Sequence, residues 1–147
     1  MQGTFTFLPI EDVHYGPDCI TALGATLEQH DVKRALLIAS NTLATKTSLV
    51  DRLQDASDGR IGDVFHQTIQ HVHRNSVLSA TEHARSIGAD GIVTFGGGTP
   101  NDTGKAVLLA LAEGIEDHDG FDRSRIKFEY PTTVEIPPVT GETVPLV

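Results

Sequence analysis

The sequence predicts an α/β fold, a Rossmann-like parallel sheet flanked by helices on both faces, and three observations carry that prediction. Short apolar runs of strand length alternate with longer stretches whose apolar residues recur at helical spacing. "RALLIAS" (Arg34 to Ser40) and "GIVTF" (Gly91 to Phe95) are nearly uninterrupted apolar runs, as strands covered on both faces require. Three consecutive glycines, Gly96 to Gly98, then separate the second run from a helical stretch.

The first element is a short N-terminal edge hairpin, in which "TFTFL" (Thr4 to Leu8) pairs with the stretch around "VHY" (Val13 to Tyr15) across Pro9 and two acidic residues. "GPDCITALGATLEQHD" opens with Gly16 and Pro17, and proline suits a first helical turn; Ile20, Leu23 and Leu27 fall on one face of the helix that follows. The strand "RALLIAS" leads into "NTLATKTSLVDRLQDA", one helix with polar first turns and Leu43, Leu49, Val50 and Leu53 as its apolar residues. "IGDVFHQTI" is a second, weaker strand. "RNSVLSATEHARSIGAD" carries Val77, Thr81, Ala84 and Ile87 at near-helical spacing and stops at Gly88, a C-cap glycine. After "GIVTF", the stretch "PNDTGKAVLLALAEG" puts Val107, Ala110 and Leu111 on one stripe and ends at Gly114. Glu116 to Arg125 reads as an acidic polar loop, and Thr133 to Ile136 as a last strand, because the surrounding prolines forbid a helix.

A length of 147 residues with 39% hydrophobic content fits one domain, 1–147, that buries a core without disulfides or metals. Eleven basic residues against 20 acidic ones give a net charge of −9, which disfavours nucleic acid or an anionic membrane as partner and makes any phosphate site a local one. Cys19 is the single cysteine, so no intrachain disulfide forms, and it reads as a small buried hydrophobe. The N-terminal stretch has neither the basic nor the apolar region of a signal peptide, and the cytoplasm is the expected compartment.

A strand, a glycine turn and a helix in that order present backbone N–H groups at a helix N-terminus beyond the carboxyl edge of a parallel sheet. Unpaired N–H groups and the helix dipole favour an anion there, and the missing side chains at Gly96, Gly97 and Gly98 let a phosphate approach the backbone. A tight turn with no ligand is the alternative. The P-loop pattern fails, because five residues separate Gly98 from Gly104 and Ala106, not a hydroxyl residue, follows Lys105. The dinucleotide pattern G-x-G-x-x-G is met at Gly96 and Gly98 but fails at Asn101.

The segment "GADGIVTFGGGTPNDTGKAVLLAL" nevertheless resembles one known motif, the G-A-D-x-[IVL]-[IVL]-x-x-G-G-G-[ST]-x-x-D-x-[AG]-K-A segment of the iron-containing (group III) alcohol dehydrogenases. Aspartate and lysine fall in register with all three glycines. "YGPDCITALGATLEQHDVKRALLIAS", "TSLVDRL" and "GDVFHQTIQHVHRNSVLSA" are similar to the maleylacetate reductase branch of that superfamily. The resemblance implies the nucleotide-binding N-terminal half of such an enzyme. It implies that Gly96, Gly97, Gly98 and Thr99 hold the pyrophosphate of NAD or NADP, with Asp102 near the nicotinamide end and Lys105 on the following helix. Without the resemblance, Asp102 is a first-turn carboxylate favoured by the helix dipole and Lys105 a solvated cation. Gly104 stands where relatives more often have alanine.

Ser40, Asn41 and Thr42 follow the first long strand, where the family places an acidic residue on the adenosine ribose. With no carboxylate there, NADP is permitted and NAD is not enforced. The family's later threonine-rich stretch is replaced by "IPPVTGETVPLV", which leaves Thr140 as its one candidate contact. The resemblance also implies a helical C-terminal domain that binds divalent iron or zinc through one aspartate and three histidines, and this sequence has no counterpart of it. His66, His71 and His73 are close in sequence, and the last two would share a face in an extended segment, but "HVHRNS" offers no carboxylate or thiol to complete a metal site. His14, His30, His83 and His118 read as solvated or capping, and no catalytic residue is assigned. The expected function is therefore NAD(P) binding within a hydride-transferring oxidoreductase, inactive toward alcohols by itself, with the metal-domain half or a second copy as partner. A free-standing nucleotide-binding or assembly module is the alternative.

Overall fold

All five side chains of Ala35–Ala39 are buried, which a strand achieves only with other elements packed over both of its faces. In the computed structural model, which describes residues 12–123, this strand is β1. It is the middle strand of a parallel sheet ordered β2-β1-β3, with β2 at Ile61–Phe65 and β3 at Gly91–Phe95. Ala35 to Ala39 pair in unbroken register with Gly91 to Phe95, whereas the ladder to β2 slips once, between Ala35 and Leu36.

The period of two along β1 divides its side chains between two cores. Leu36 and Ile38 join Phe65 and Ile92 under Val77, Ala80 and Ala84 of α4 (Arg74–Ile87) and Val107 and Ala110 of α5 (Gly98–Ala112). Ala35, Leu37 and Ala39 join Ile61 and Val93 under Leu27 of α1 (Leu23–Gln29) and Val50 and Leu53 of α3 (Leu49–Ala56). Helices thus cover both faces, as the sequence predicts, and each fully buried Leu or Ile contributes about 1.5–3 kcal/mol. The predicted stops hold as well. Gly88 has φ 62°, its N–H donates to the Arg85 carbonyl (3.1 Å), and the Ala89 N–H donates to the Ala84 carbonyl (2.9 Å), a Schellman pair. Gly114, with φ 63°, ends α5 in the same way through Ile115 and Ala110. At the opposite edge of the sheet the Asp90 carboxylate accepts from the backbone N–H groups of Lys33 (3.0 Å) and Arg34 (2.7 Å), which ties the entry of β3 to the entry of β1.

Several expectations are corrected. Val13 to Tyr15 has no regular secondary structure, and its hairpin partner Thr4 to Leu8 lies outside the described residues, as do Thr133 to Ile136 and Thr140. The first helix begins as a 3-10 turn, Cys19–Ala22, and Cys19 is exposed, because the turn's inward side is taken by Ile20. The helix read across "NTLATKTSLVDRLQDA" is two, α2 (Asn41–Lys46) and α3, broken at Thr47 and Ser48. Thr47 Oγ1 donates to the Leu43 carbonyl (2.6 Å) and accepts from the Leu49 N–H (3.2 Å), bonds that compete with the helical ladder. β2 stops at Phe65, so His66 to Ile69 leave the strand. His71 and Val72 have φ 66° and 52°, a turn and not the extended segment in which His71 and His73 would align. The acidic loop contains a short helix, α6 (His118–Arg123), held to α4 by Arg74, which pairs both guanidinium arms with Asp122 (2.7 and 3.1 Å). His83 is not solvated or capping: its Nε2 lies 2.8 Å from Asp63 Oδ2, a pair between α4 and β2.

Candidate functional site

Parallel strands end at the same edge, and here each is followed at once by a residue of interest. Ser40, His66 and Gly96 stand one position past β1, β2 and β3. The chain leaves β1 through α2 and α3 toward the face that holds Leu27 and Val50, and leaves β3 through α5 toward the opposite face. Neighbouring strands whose connections diverge in this way open a crevice between their carboxyl ends, where open α/β sheets bind ligands.

The three glycines do different things. Gly96 has φ 138°, and a Cβ on it would meet Pro100 Cγ at 3.0 Å and Leu43 Cδ1 at 3.5 Å, so this glycine makes the turn and fits it against both neighbouring helices. Gly97 is the N-cap of α5 with nothing within 4 Å of its absent side chain, and Gly98 is already the first residue of the helix, two positions earlier than the sequence suggested. Gly97 has no side chain to cap with, and Pro100, at the third helical position, has no N–H. The uncapped donors of that turn are therefore the N–H groups of Gly98 and Thr99, beside open space, an arrangement that suits a phosphate. Asn101, where a dinucleotide fingerprint would place its third glycine, accepts a hydrogen bond from Thr94 Oγ1 on β3 (2.6 Å) and pins the first turn of α5 to the sheet.

Ser40 lies beside this turn: its N–H donates to the Phe95 carbonyl (3.3 Å), and its hydroxyl caps α2 by accepting from the Leu43 N–H (3.4 Å). Asn41 and Thr42 are exposed in the first turn of α2. The fold therefore brings Ser40, Asn41 and Thr42 together with Gly96, Gly97, Gly98 and Thr99. Asp102 is exposed on α5, and Lys105 reaches back to it (3.1 Å).

Sequence reading missed the contribution of the β2 exit. His66 Nδ1 lies 3.2 Å from Asn41 Oδ1, and Thr68 Oγ1 donates to the Ala39 carbonyl at 3.3 Å. The signal available was parallel topology, which puts the residue after every strand at one edge. Electrostatics there run against the whole molecule: in a chain of net charge −9, residues 39–50, 64–81 and 91–101 contain no Asp or Glu. Those stretches carry no charge that repels a phosphate; the Asp102 carboxylate, whose Oδ2 lies 3.9 Å from where a Gly98 Cβ would stand, is paired with Lys105. Among the described residues, no group of three or more His, Cys, Asp or Glu is placed to hold a metal, so the described residues do not fit one. No helix among them is long and apolar enough to cross a membrane.

Comparison with known proteins agrees with the fold. No curated protein matches the chain. Among solved structures, a 1,3-propanediol oxidoreductase superposes with a TM-score of 0.68 at 23% identity, over 89% of this chain and 31% of its own. Maleylacetate reductase from Agrobacterium tumefaciens superposes with a TM-score of 0.63 at 21% identity, over 74% of this chain and 30% of its own. Sulfoacetaldehyde reductase from Bifidobacterium kashiwanohense, solved with NAD+, gives 0.62 at 22% identity, over 65% of this chain and 25% of its own. These likenesses show a shared fold, and the chain spans about a third or less of the length of each. The sequence profile of iron-containing alcohol dehydrogenases matches residues 11–144, and the chain belongs to that family.

Proposed function

We propose that this chain is the dinucleotide-binding part of an NAD(P)-dependent oxidoreductase that interconverts an alcohol and a carbonyl compound. The observation that carries the reading is the open turn at Gly97 and Gly98, with two uncapped N–H groups at the crevice of a parallel sheet. Family membership and the absence of carboxylates from residues 39–50, 64–81 and 91–101 support it. In this reading Gly97, Gly98 and Thr99 hold the pyrophosphate, Ser40, Asn41 and Thr42 face the adenosine ribose, and Asp102 and Lys105 flank the nicotinamide side. The dinucleotide supplies hydride chemistry; the residues named here bind and orient it. Iron or zinc is implied by the family, and its ligands are supplied in this reading by a metal-bearing half, with a second copy of the chain as the other partner considered. The cytoplasm is the compartment proposed.

The test is calorimetric titration of the purified chain with NADH and NADPH beside Gly97→Asp, whose carboxylate would occupy the phosphate position. Binding by the wild type and a loss of about tenfold or more in the variant is the expected result, from one repulsive charge placed against a phosphate. A wild type that binds neither cofactor sinks the reading.

A further inference from the structure

We propose that His66 reads the 2′ position of the adenosine ribose and selects a cofactor carrying a 2′-phosphate over one carrying a 2′-hydroxyl. The inference rests on the dinucleotide reading above and gives it a specificity. Adjacent strands lie about 4.8 Å apart, so the exit of β2 stands roughly 10 Å from the exit of β3, with the exit of β1 between them. With Ser40, Asn41 and Thr42 on the adenosine ribose, as proposed above, a dinucleotide held at Gly97 and Gly98 runs its adenosine half across β1 toward His66.

The loop that carries His66 is built onto that edge. His66 Nδ1 bonds to Asn41 (3.2 Å), Thr68 Oγ1 donates to the Ala39 carbonyl (3.3 Å), and Ser76 Oγ donates to the Gln67 carbonyl (2.8 Å). Three side-chain bonds over three consecutive residues hold the loop against β1 and α4. The Asn41 amide can accept from an Nδ1–H or, turned over, donate to Nδ1. With the amide oxygen on the ring, as in the structure, Nδ1–H donates and Nε2 carries a hydrogen only in the imidazolium, the form a phosphate at Nε2 draws; with the amide turned over, a neutral ring presents Nε2–H. Nε2 has no hydrogen-bond partner among the described residues, and His66 is only partly buried.

Charge separates the two candidate ligands. A ribose 2′-hydroxyl is selected in dinucleotide folds by a carboxylate, which accepts its hydrogen bond and repels a phosphate in its place. None of the three loops at this edge carries a carboxylate, and Lys46 lies on α2 between β1 and β2 in the chain. An imidazole that donates from Nε2, among loops without a carboxylate, matches the phosphate and offers the hydroxyl little that water does not.

The experiment is calorimetric titration of the 147-residue chain with NADPH and with NADH, for wild type, His66→Ala and His66→Glu. The wild type is expected to bind NADPH more tightly. His66→Ala should weaken NADPH about tenfold and move NADH by less than about twofold, the size of one hydrogen bond to a charged group. His66→Glu should weaken NADPH further. A wild type that prefers NADH overturns the proposal without any variant, and so does an unchanged NADPH-to-NADH ratio in folded variants, in both cases leaving the dinucleotide reading standing. A wild type that binds neither overturns both.

Discussion

Alanine placed in turn at Gly96, Gly97 and Gly98 separates what each glycine does for folding from what it does for binding. At Gly96 the backbone has φ 138°, which an L-residue rarely adopts, and the new methyl meets Pro100 Cγ at 3.0 Å. Pro100 is buried in the first turn of α5 and has little room to yield. Backbone strain of about 1–3 kcal/mol is the main cost, and the tight contact adds to it. At Gly97, φ −84° suits any residue and the methyl meets nothing within 4 Å. Loss of unfolded-chain entropy contributes about 0.4–1 kcal/mol in favour, and alanine as an N-cap costs about 0.5–1 kcal/mol, so the two nearly cancel. At Gly98 the closest atom to the methyl is Asp102 Oδ2 at 3.9 Å, and alanine at a helical position is stabilising by about 0.4–1 kcal/mol. Urea unfolding should then rank the variants Gly98→Ala, Gly97→Ala, Gly96→Ala from most to least stable. In calorimetric titrations Gly97→Ala and Gly98→Ala should both lose cofactor affinity despite intact folds. A Gly96→Ala protein as stable as wild type would refute the strain argument, and undiminished binding by Gly97→Ala would refute the role of the open space.

Further expectations concern the scaffold. Asp90→Ala removes the acceptor of the Lys33 and Arg34 N–H groups, and urea unfolding should show a loss of about 2 kcal/mol, with Asp90→Asn losing less. Thr103 Oγ1 is fully buried with no hydrogen-bond partner among the described residues, so Thr103→Val should stabilise by roughly 1 kcal/mol. Thr81→Val, whose hydroxyl donates to the Val77 carbonyl at 2.8 Å, should not, and the same denaturation series compares them. The Asp63 carboxyl is held below its usual value, first by the Val64 N–H (2.7 Å) and then by His83. A carboxyl depressed in the folded state contributes stability that is present above its unfolded value, near pH 3.9, and is lost as pH falls through the folded one. Asp63→Asn should therefore flatten the acid limb of a stability-versus-pH curve and leave a smaller, constant deficit in its place; an unchanged acid limb would remove Asp63 from the account. The effect is small, because the carboxylate is half exposed.

Local rules carried much of the fold. An unbroken apolar run can be a strand only where both faces are covered, so "RALLIAS" and "GIVTF" announced a parallel sheet, and Gly88 and Gly114 marked helix ends because a left-handed residue is easiest for glycine. The break at Thr47 and Ser48 was not legible, since it depends on a hydroxyl competing with a ladder that helical periodicity leaves intact. Nor was α6, whose six residues gain their hold from Arg74, 48 positions before its partner Asp122. For the site, the sequence by itself put a strand, a glycine turn and a helix around Gly96 to Gly98 and left Ser40, Asn41 and Thr42 without a carboxylate. Only the tertiary structure decided that Gly96 turns the chain and Gly97 leaves space, because that rests on what each absent side chain would meet, Pro100 and Leu43 at the one and nothing within 4 Å at the other. It alone decided that His66, read beforehand as an unsupported metal ligand, sits against Asn41: strand order β2-β1-β3 sets two loops side by side that the chain keeps 25 residues apart.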